Sequence, residues 1–165
     1  MIIKLVITDI DGVWTDGGMY YDEKGNELKK FNTSDSAGVL FLRKVNIPLA
    51  IMTAEETAIV ARRATKLGVQ MVFQGVADKL RQAESLCDVM GIKLSEVAFI
   101  GDDISDIRLL KAVGFSAVPP TAPEYVAQHA AIKLSTPGGD GAFREFIERL
   151  LNKLGLLNEA LNDYQ

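Results

Sequence analysis

Six short apolar runs punctuate the chain, at residues 3–8, 49–53, 71–73, 97–101, 115–118 and 131–134. Between them apolar residues recur every three or four positions, over 37–45, 55–67, 77–90, 104–113, 123–129 and 142–154. The runs predict strands and the recurring spacing predicts amphipathic helices. Strand and helix signals that alternate imply a parallel sheet with right-handed crossovers. Runs that are apolar throughout, not at every second residue, suit strands covered on both faces. The expected fold is α/β, a doubly wound parallel sheet, in one domain spanning residues 1–165 with no linker or internal repeat.

One segment breaks this rhythm. Residues 19–31 read MYYDEKGNELKKF, two strand-like pieces at 19–21 and 28–31 around a turn at 22–26 that contains Gly25. A β-hairpin over about 18–31, set directly after the first strand, would stand over the edge of the sheet as a flap, or offer an edge to another subunit. An isolated hairpin is marginal in water, so Tyr20, Tyr21 and Phe31 are expected to pack on something. Residues 155–165 are a short helix or a loose tail, with a disordered terminus as the default.

Composition narrows the functions. The net charge is −4 and no basic run of about five or more residues exists, which disfavours nucleic acid as a partner. No apolar stretch approaches the roughly 18 residues of a membrane span. Lys4 interrupts the short first run, unlike a secretory leader. The single cysteine, Cys87, excludes an internal disulfide and fits a reducing cytosol, so a cytoplasmic protein is expected. Cys87 lies in a helical pattern and reads as a buried structural thiol. His129 has no nearby Cys or His in sequence, so a histidine triad or zinc site is not expected.

The chemistry lies where strands end. The first run stops at Asp9 and Asp11, followed by Gly12. Open α/β sheets bind ligands at the carboxyl ends of their strands. Two close carboxylates repel and call for a cation or a shared proton, and a hard ion such as Mg²⁺ suits such oxygens. The second run ends in Thr53, the fourth in Gly101, Asp102 and Asp103 with Asp106 one turn on, and Lys79 opens a helix between them. Each has a plain alternative. Asp-x-Asp-Gly is good turn chemistry. Thr53 with Glu56 has capping-box spacing. Asp103 and Asp106 favour a helix start. Taken together, they make one chemistry: a carboxylate nucleophile for phosphorus, a second carboxylate to move protons, Mg²⁺, and a hydroxyl and a lysine for the phosphoryl oxygens.

With DIDGVWTDG at 9–17, MTAE at 52–55, Lys79 in VADKL and GDDISD at 101–106, the chain resembles the haloacid dehalogenase superfamily of phosphohydrolases over nearly its whole length. The resemblance implies a Rossmann-like, haloacid dehalogenase-like sheet. It implies Asp9 as nucleophile and Asp11 as general acid and base, with Thr53 and Lys79 on the phosphoryl group. Asp9, the backbone carbonyl of Asp11, and Asp102 would hold Mg²⁺, with Asp103 and Asp106 supporting them. The hairpin after DGVWTDG, FNTSDSAGVLFLRK at 31–44 and TPGGDGAFREFIERLL at 136–151 are similar to the branch that hydrolyses phosphates of 2-keto-3-deoxy sugar acids. That branch has no cap domain and forms homotetramers in which hairpins associate and a neighbouring subunit helps close each site. Gly138, Gly139 and Gly141 read equally as places where backbone approaches a ligand or metal loop and as a plain loop.

One departure bears on substrate. Octulosonate phosphatases of this branch typically carry Gly-Arg after the threonine, where this chain has Ala54 and Glu55. A glutamate offers acceptors where arginine offers a fork of donors. This favours a nonulosonate 9-phosphate, with its longer polyol chain, and puts octulosonate 8-phosphate second. Arg62 and Lys66, on the helix after Glu55, are candidates to meet its charge or the substrate, although Glu55 also reads as a helix-start residue. The segment 32–34 is the candidate for the sugar carboxylate. The candidate substrate contacts are thus Gly12, Asn32, Ala54, Glu55, Arg62 and Lys66. A receiver-type signalling domain is the rival from another class, but the third run ends in Phe73, Gln74 and Gly75 without the aspartate it needs. A non-catalytic regulatory module is the other rival, disfavoured because every catalytic position holds a competent residue.

Overall fold

The structure, a computed structural model, describes residues 1–164. Six parallel strands form the sheet: β1 (Leu5–Thr8), β4 (Leu49–Met52), β5 (Met71–Phe73), β6 (Val97–Ile100), β7 (Phe115–Val118) and β8 (Ile132–Lys133). Their order is β5-β4-β1-β6-β7-β8. The hairpin strands β2 (Tyr20–Tyr21) and β3 (Glu27–Leu28) pair antiparallel, apart from that sheet. The helices are α1 (Asp35–Lys44), α2 (Ala58–Leu67), α3 (Lys79–Met90), α4 (Ile107–Ala112), α5 (Glu124–Ala127), α6 (Ala142–Leu154) and α7 (Leu157–Leu161).

The sheet is doubly wound because its strands are apolar on both faces. In β1, Val6 packs into a core with α1, α2, α6 and α7, whereas Leu5 and Ile7 face a second core with α3, α4 and α5. All four β1 residues are buried, as are those of β4, β6 and β7. The helix α6 anchors the first core through Phe143, Phe146, Ile147, Leu150 and Leu151, all fully buried. Each such side chain contributes about 1.5–3 kcal/mol by its burial. From β1 the chain moves to β4 and β5 on one side, then crosses to β6 on the other. This reversal opens a crevice at the carboxyl end of β1. No helix among the described residues is long and apolar enough to cross a membrane.

Three elements differ from the sequence expectation. The pattern over 55–67 becomes a helix only from Ala58, with Thr57 extended as N-cap and its side chain accepting from the Val60 N–H. Tertiary hydrogen bonds hold the preceding residues off the helix. Thr53 N–H donates to Phe73 O, Val76 N–H to Thr53 O and Gly75 N–H to Glu55 O. Thr53 is therefore not the cap, and Glu56 has no capping-box role. The pattern over 104–113 opens as a 3-10 turn, Ile104–Asp106, before α4. The default of a disordered terminus is also corrected: α7 packs on the α1–α6 core through a fully buried Ala160, and a 3-10 turn follows at Asn162–Tyr164. Gln165, the last residue of that expected tail, lies outside the described residues.

Candidate active site

Asp9 is the first residue past β1, and its N–H still donates to Ile100 O of β6 at 3.0 Å, so the sheet itself fixes its backbone. The side chain is buried. Oδ1 accepts from the Ile10 N–H at 2.7 Å, and Oδ2 lies 2.9 Å from Lys79 Nζ. Burial, the largest influence, lifts its carboxyl to about 7 against the pull of Lys79, and Asp106 pushes it further up. The chain then turns tightly, with Ile10 O accepting from the N–H groups of Val13, Trp14 and Thr15. Trp14 locks this turn: its Nε1 donates to Thr8 Oγ1 at 2.9 Å, and its ring lies 4.6 Å from that of Phe143.

Gly12 shows why this turn carries a glycine. Its φ is +79°, and a Cβ there would sit 1.9 Å from Asp102 Oδ2. A side chain would be strained and would expel Asp102 from the site. Gly138 plays the same part from the far side, since a Cβ on it would meet Gly12 O at 1.9 Å. Of the two readings of this glycine, backbone approach to the acidic loop is the one found.

The third acidic element is the loop after β6. Asp106 is fully buried with both oxygens engaged: Oδ1 accepts from Lys79 Nζ at 2.6 Å, and Oδ2 accepts from the N–H groups of Asp102 and Asp103 at 2.9 and 3.1 Å. It holds the loop and Lys79 together. Asp103 is exposed and caps the 3-10 turn through the Ile104 N–H. Asp102 accepts no hydrogen bond among the described residues, and burial, followed by the charges of Asp9, Asp106 and Asp103, lifts its carboxyl to about 8. Lys79 is itself buried. Desolvation would lower its amine, but Asp9 and Asp106 hold it above the usual lysine value.

This donor set fits a divalent cation. Asp9, Asp102 and Asp106 offer carboxylate oxygens within 4.8 Å of one another. Three carboxylates face one ammonium, a deficit of two positive charges in a site with little water. Among the described residues the Asp106 carboxylate takes three hydrogen bonds, whereas each Asp9 oxygen has one partner and the Asp102 carboxylate has none, so Asp9 and Asp102 have the most room for a hard ion. Thr53, at the end of β4 beside β1, is buried, and its hydroxyl has no hydrogen-bond partner among the described residues. It is a free donor at the same edge.

The Asp11 carboxylate turns elsewhere. Its Oδ1 accepts from Lys29 Nζ at 2.6 Å, and Glu55 Oε2 accepts from the same nitrogen at 2.9 Å. Burial would lower the Lys29 amine, but these two partners together raise it. Lys29 was missed in the sequence. The available signal was the hairpin placed beside the acidic strand end, with lysines at 29 and 30 on its returning arm.

The structure also sorts the other substrate candidates. Arg62 and Lys66 are exposed and form no ion pair with Glu55 among the described residues. Arg63 turns inward instead, its Nη2 3.3 Å from both Asn32 O and Ser36 Oγ and its guanidinium over the Phe31 ring. Val60 and Ala64 mark the buried side of α2, and this periodicity already placed 63 nearer the inner flank than 62 or 66. Asn32 Nδ2 donates to Gly139 O at 3.3 Å, while its Oδ1 takes both the N–H and the hydroxyl of Ser34. That amide is spent on joining two loops. Ala54 is exposed at the mouth beside Glu55.

Comparison with known proteins agrees with this geometry. Residues 20–145 match the haloacid dehalogenase-like hydrolase family. The 3-deoxy-D-manno-octulosonate 8-phosphate phosphatase of Haemophilus influenzae is 37% identical over 153 residues, 93% of this chain and 85% of that protein. The corresponding phosphatase of Moraxella catarrhalis, solved with magnesium, phosphate and a KDO molecule, superposes with a TM-score of 0.95 at 35% identity, covering 99% of this chain and 94% of that one. The cobalt-bound Haemophilus influenzae enzyme gives a TM-score of 0.88 at 37% identity, covering 94% and 91%. In sequence and in fold, the chain belongs to the haloacid dehalogenase-like hydrolase family.

Proposed function

We infer that this protein is a Mg²⁺-dependent phosphomonoesterase that works through a phosphoryl-aspartate on Asp9, with a 2-keto-3-deoxy sugar acid phosphate as substrate. The observation that carries this is Asp9 itself: a buried carboxylate at the end of the central strand, held by Lys79 and flanked by Asp102 and Thr53. When bound by Asp9, Asp102 and the Asp11 carbonyl, Mg²⁺ supplies the positive charge that lets a carboxylate approach a phosphate.

The residues divide the reaction. The Ile10 N–H and Lys79 orient the Asp9 carboxylate so that one oxygen meets phosphorus in line with the departing alcohol. The Thr53 hydroxyl and Lys79 donate to phosphoryl oxygens as charge gathers on them. Asp11 gives its proton to the leaving oxygen, then takes one from the water that cleaves the phosphoryl-aspartate. Proton transfer of this kind contributes about 10²–10⁴-fold. Asp106 and Asp103 keep the loop and Lys79 in place.

Octulosonate 8-phosphate leads among substrates because relatives at 35–37% identity carry that activity in their names. This reverses the ranking drawn from the sequence, which put a nonulosonate 9-phosphate first on the strength of Glu55. Lys29 already meets the Glu55 charge, so Glu55 need not read the substrate. The nonulosonate reading stands second on one observation: the Glu55 side chain is still 41% exposed at the mouth, an acceptor available to extra hydroxyls. The exposed Met19, Tyr20, Tyr21 and Leu28 of the hairpin support a homotetramer in which hairpins cover one another. A cytoplasmic location accords with the free, buried Cys87.

Phosphate release with Mg²⁺ tests the reading, across octulosonate 8-phosphate, nonulosonate 9-phosphates, hexose phosphates and nucleotides. A strong preference for one keto-deoxy acid is expected. Flat, weak activity across the panel would contradict the substrate class, and no activity at all would contradict the enzyme.

A further inference from the structure

The hairpin has little of its own to hold it. β2 and β3 contribute two residues each, and Met19, Tyr20, Tyr21 and Leu28 are exposed. A hairpin of that size is marginal by itself. Yet the Lys29 side chain, one residue past β3, is wholly shielded from solvent, while that of Lys30 is 50% exposed. Among the described residues Lys30 pairs with Asp140 at the surface and Tyr20 donates to Asp16. Lys29 runs inward and joins three segments on one nitrogen: the hairpin, the loop after β1 through Asp11, and the loop after β4 through Glu55.

Seen from Asp11, the contact is more telling. Its carboxylate has no other hydrogen bond or ion pair among the described residues. Asp9 and Asp106 are each fixed by groups of the sheet edge and its loops. Among the described residues, Asp11 is aimed by Lys29, which the hairpin delivers.

We propose that Lys29 is a positioning residue for Asp11: it docks the hairpin onto the site and fixes the Asp11 carboxylate, with Glu55 as the second anchor that keeps the ammonium centred. The proposal rests on the phosphatase reading above. Its consequence is that hairpin closure and the readiness of Asp11 for proton transfer are one event. A residue misplaced by about 1 Å can cost about 10²-fold in rate. Loss of Lys29 therefore falls on kcat, because the phosphate still finds Thr53, Lys79 and the acidic loop.

The test uses the intact Mg²⁺-loaded protein and the variants Lys29→Met and Lys29→Arg, with two readouts. The first is hydrogen exchange over residues 19–31, with the core strands as the check on folding. The second is steady-state kinetics on the best ester of the panel. Lys29→Met is expected to lose hairpin protection and to lower kcat about 100-fold while KM moves by less than about threefold. Lys29→Arg, whose fork also spans two carboxylates, is expected to restore protection and most of kcat. Unchanged exchange in Lys29→Met, or a kcat close to wild type, would overturn the proposal. If the wild-type protein turned over no ester at all, the phosphatase reading would fall, and exchange would still decide whether Lys29 docks the hairpin.

Discussion

Two lysines in this molecule do the same electrostatic task from opposite foundations. Lys79 and Lys29 are each shielded from solvent, and each bridges two carboxylates from distant parts of the chain. Lys79 stands at the start of the twelve-residue helix α3 and joins Asp9 to Asp106, both backed by β1 and β6. Lys29 hangs from a hairpin with two residues per strand and joins Asp11 to Glu55, both in loops. The difference teaches how the site divides its work. The proposed nucleophile and its lysine are rooted at the edge of the sheet. The groups proposed to meet the leaving alcohol and the sugar, Asp11 and Glu55, are held by a lysine of the small hairpin. Removing either half should therefore damage different quantities.

The largest effect belongs to the rooted half. Asp9→Asn keeps the acceptor for the Ile10 N–H but removes the nucleophile, so kcat is expected to fall on the order of 10⁴–10⁶-fold with the melting profile nearly unchanged. Lys79→Met comes next. It leaves Asp9 and Asp106 buried without their cation, and breaking such a pair costs about 3–5 kcal/mol, which denaturant unfolding would read directly. The corresponding change at Lys29 should leave global stability almost intact.

Acid–base behaviour sharpens the contrast further. Burial lifts Asp9 to about 7, Asp35 to about 6 and Asp102 to about 8. Each therefore keeps its proton in the folded state over a range where the unfolded chain has lost it. Their contribution to stability is full below about pH 4 and is lost as pH rises through these values. Metal-free protein should become less stable from about pH 4 toward pH 8. Mg²⁺ should cancel the part due to Asp9 and Asp102 and leave that of Asp35, which is buried at the start of α1, away from the acidic loops. That remainder is about 2–3 kcal/mol and is complete by about pH 6. Thermal melts with and without Mg²⁺ across this range would check both parts; a metal-free stability that rises with pH would break the account.

The smallest expected effect lies on the hairpin half. Glu55→Arg removes one anchor of Lys29 and adds donors at the mouth. The ratio of kcat/KM for octulosonate 8-phosphate over nonulosonate 9-phosphate should rise by roughly tenfold, the worth of one polar contact. An unchanged ratio would show that Glu55 only secures the hairpin.

The same division decides what could be read from sequence. Helix α6 matches the span expected from its periodicity, Ala142–Leu154, because six buried positions follow a single stripe and glycines stand at both ends. Asp9, Thr53 and Asp102 were legible as candidates because a strand end is a sequence feature and a sheet gathers its strand ends by topology, and Lys79 because the helix after β5 starts near the same edge. The start of α2 was not, since hydrogen bonds to residues 73–76 outcompete helix formation over 53–57. Nor was Lys29, whose role depends on how a hairpin folds back, nor α7, whose order comes from packing Ala160 against α1 and α6. Arg62 and Lys66 were chosen by spacing from Glu55 along a helix that does not yet exist at position 55.

The central claim is that Asp9 carries the phosphoryl group. The most direct test is to quench turning-over protein in acid, reduce it with borohydride and map the peptides by mass spectrometry. A phosphoryl-aspartate at position 9 is reduced to homoserine there, and the account predicts that single change, absent when substrate is omitted. Turnover with no modification at Asp9, or with homoserine at Asp11 or Asp102 instead, would contradict it.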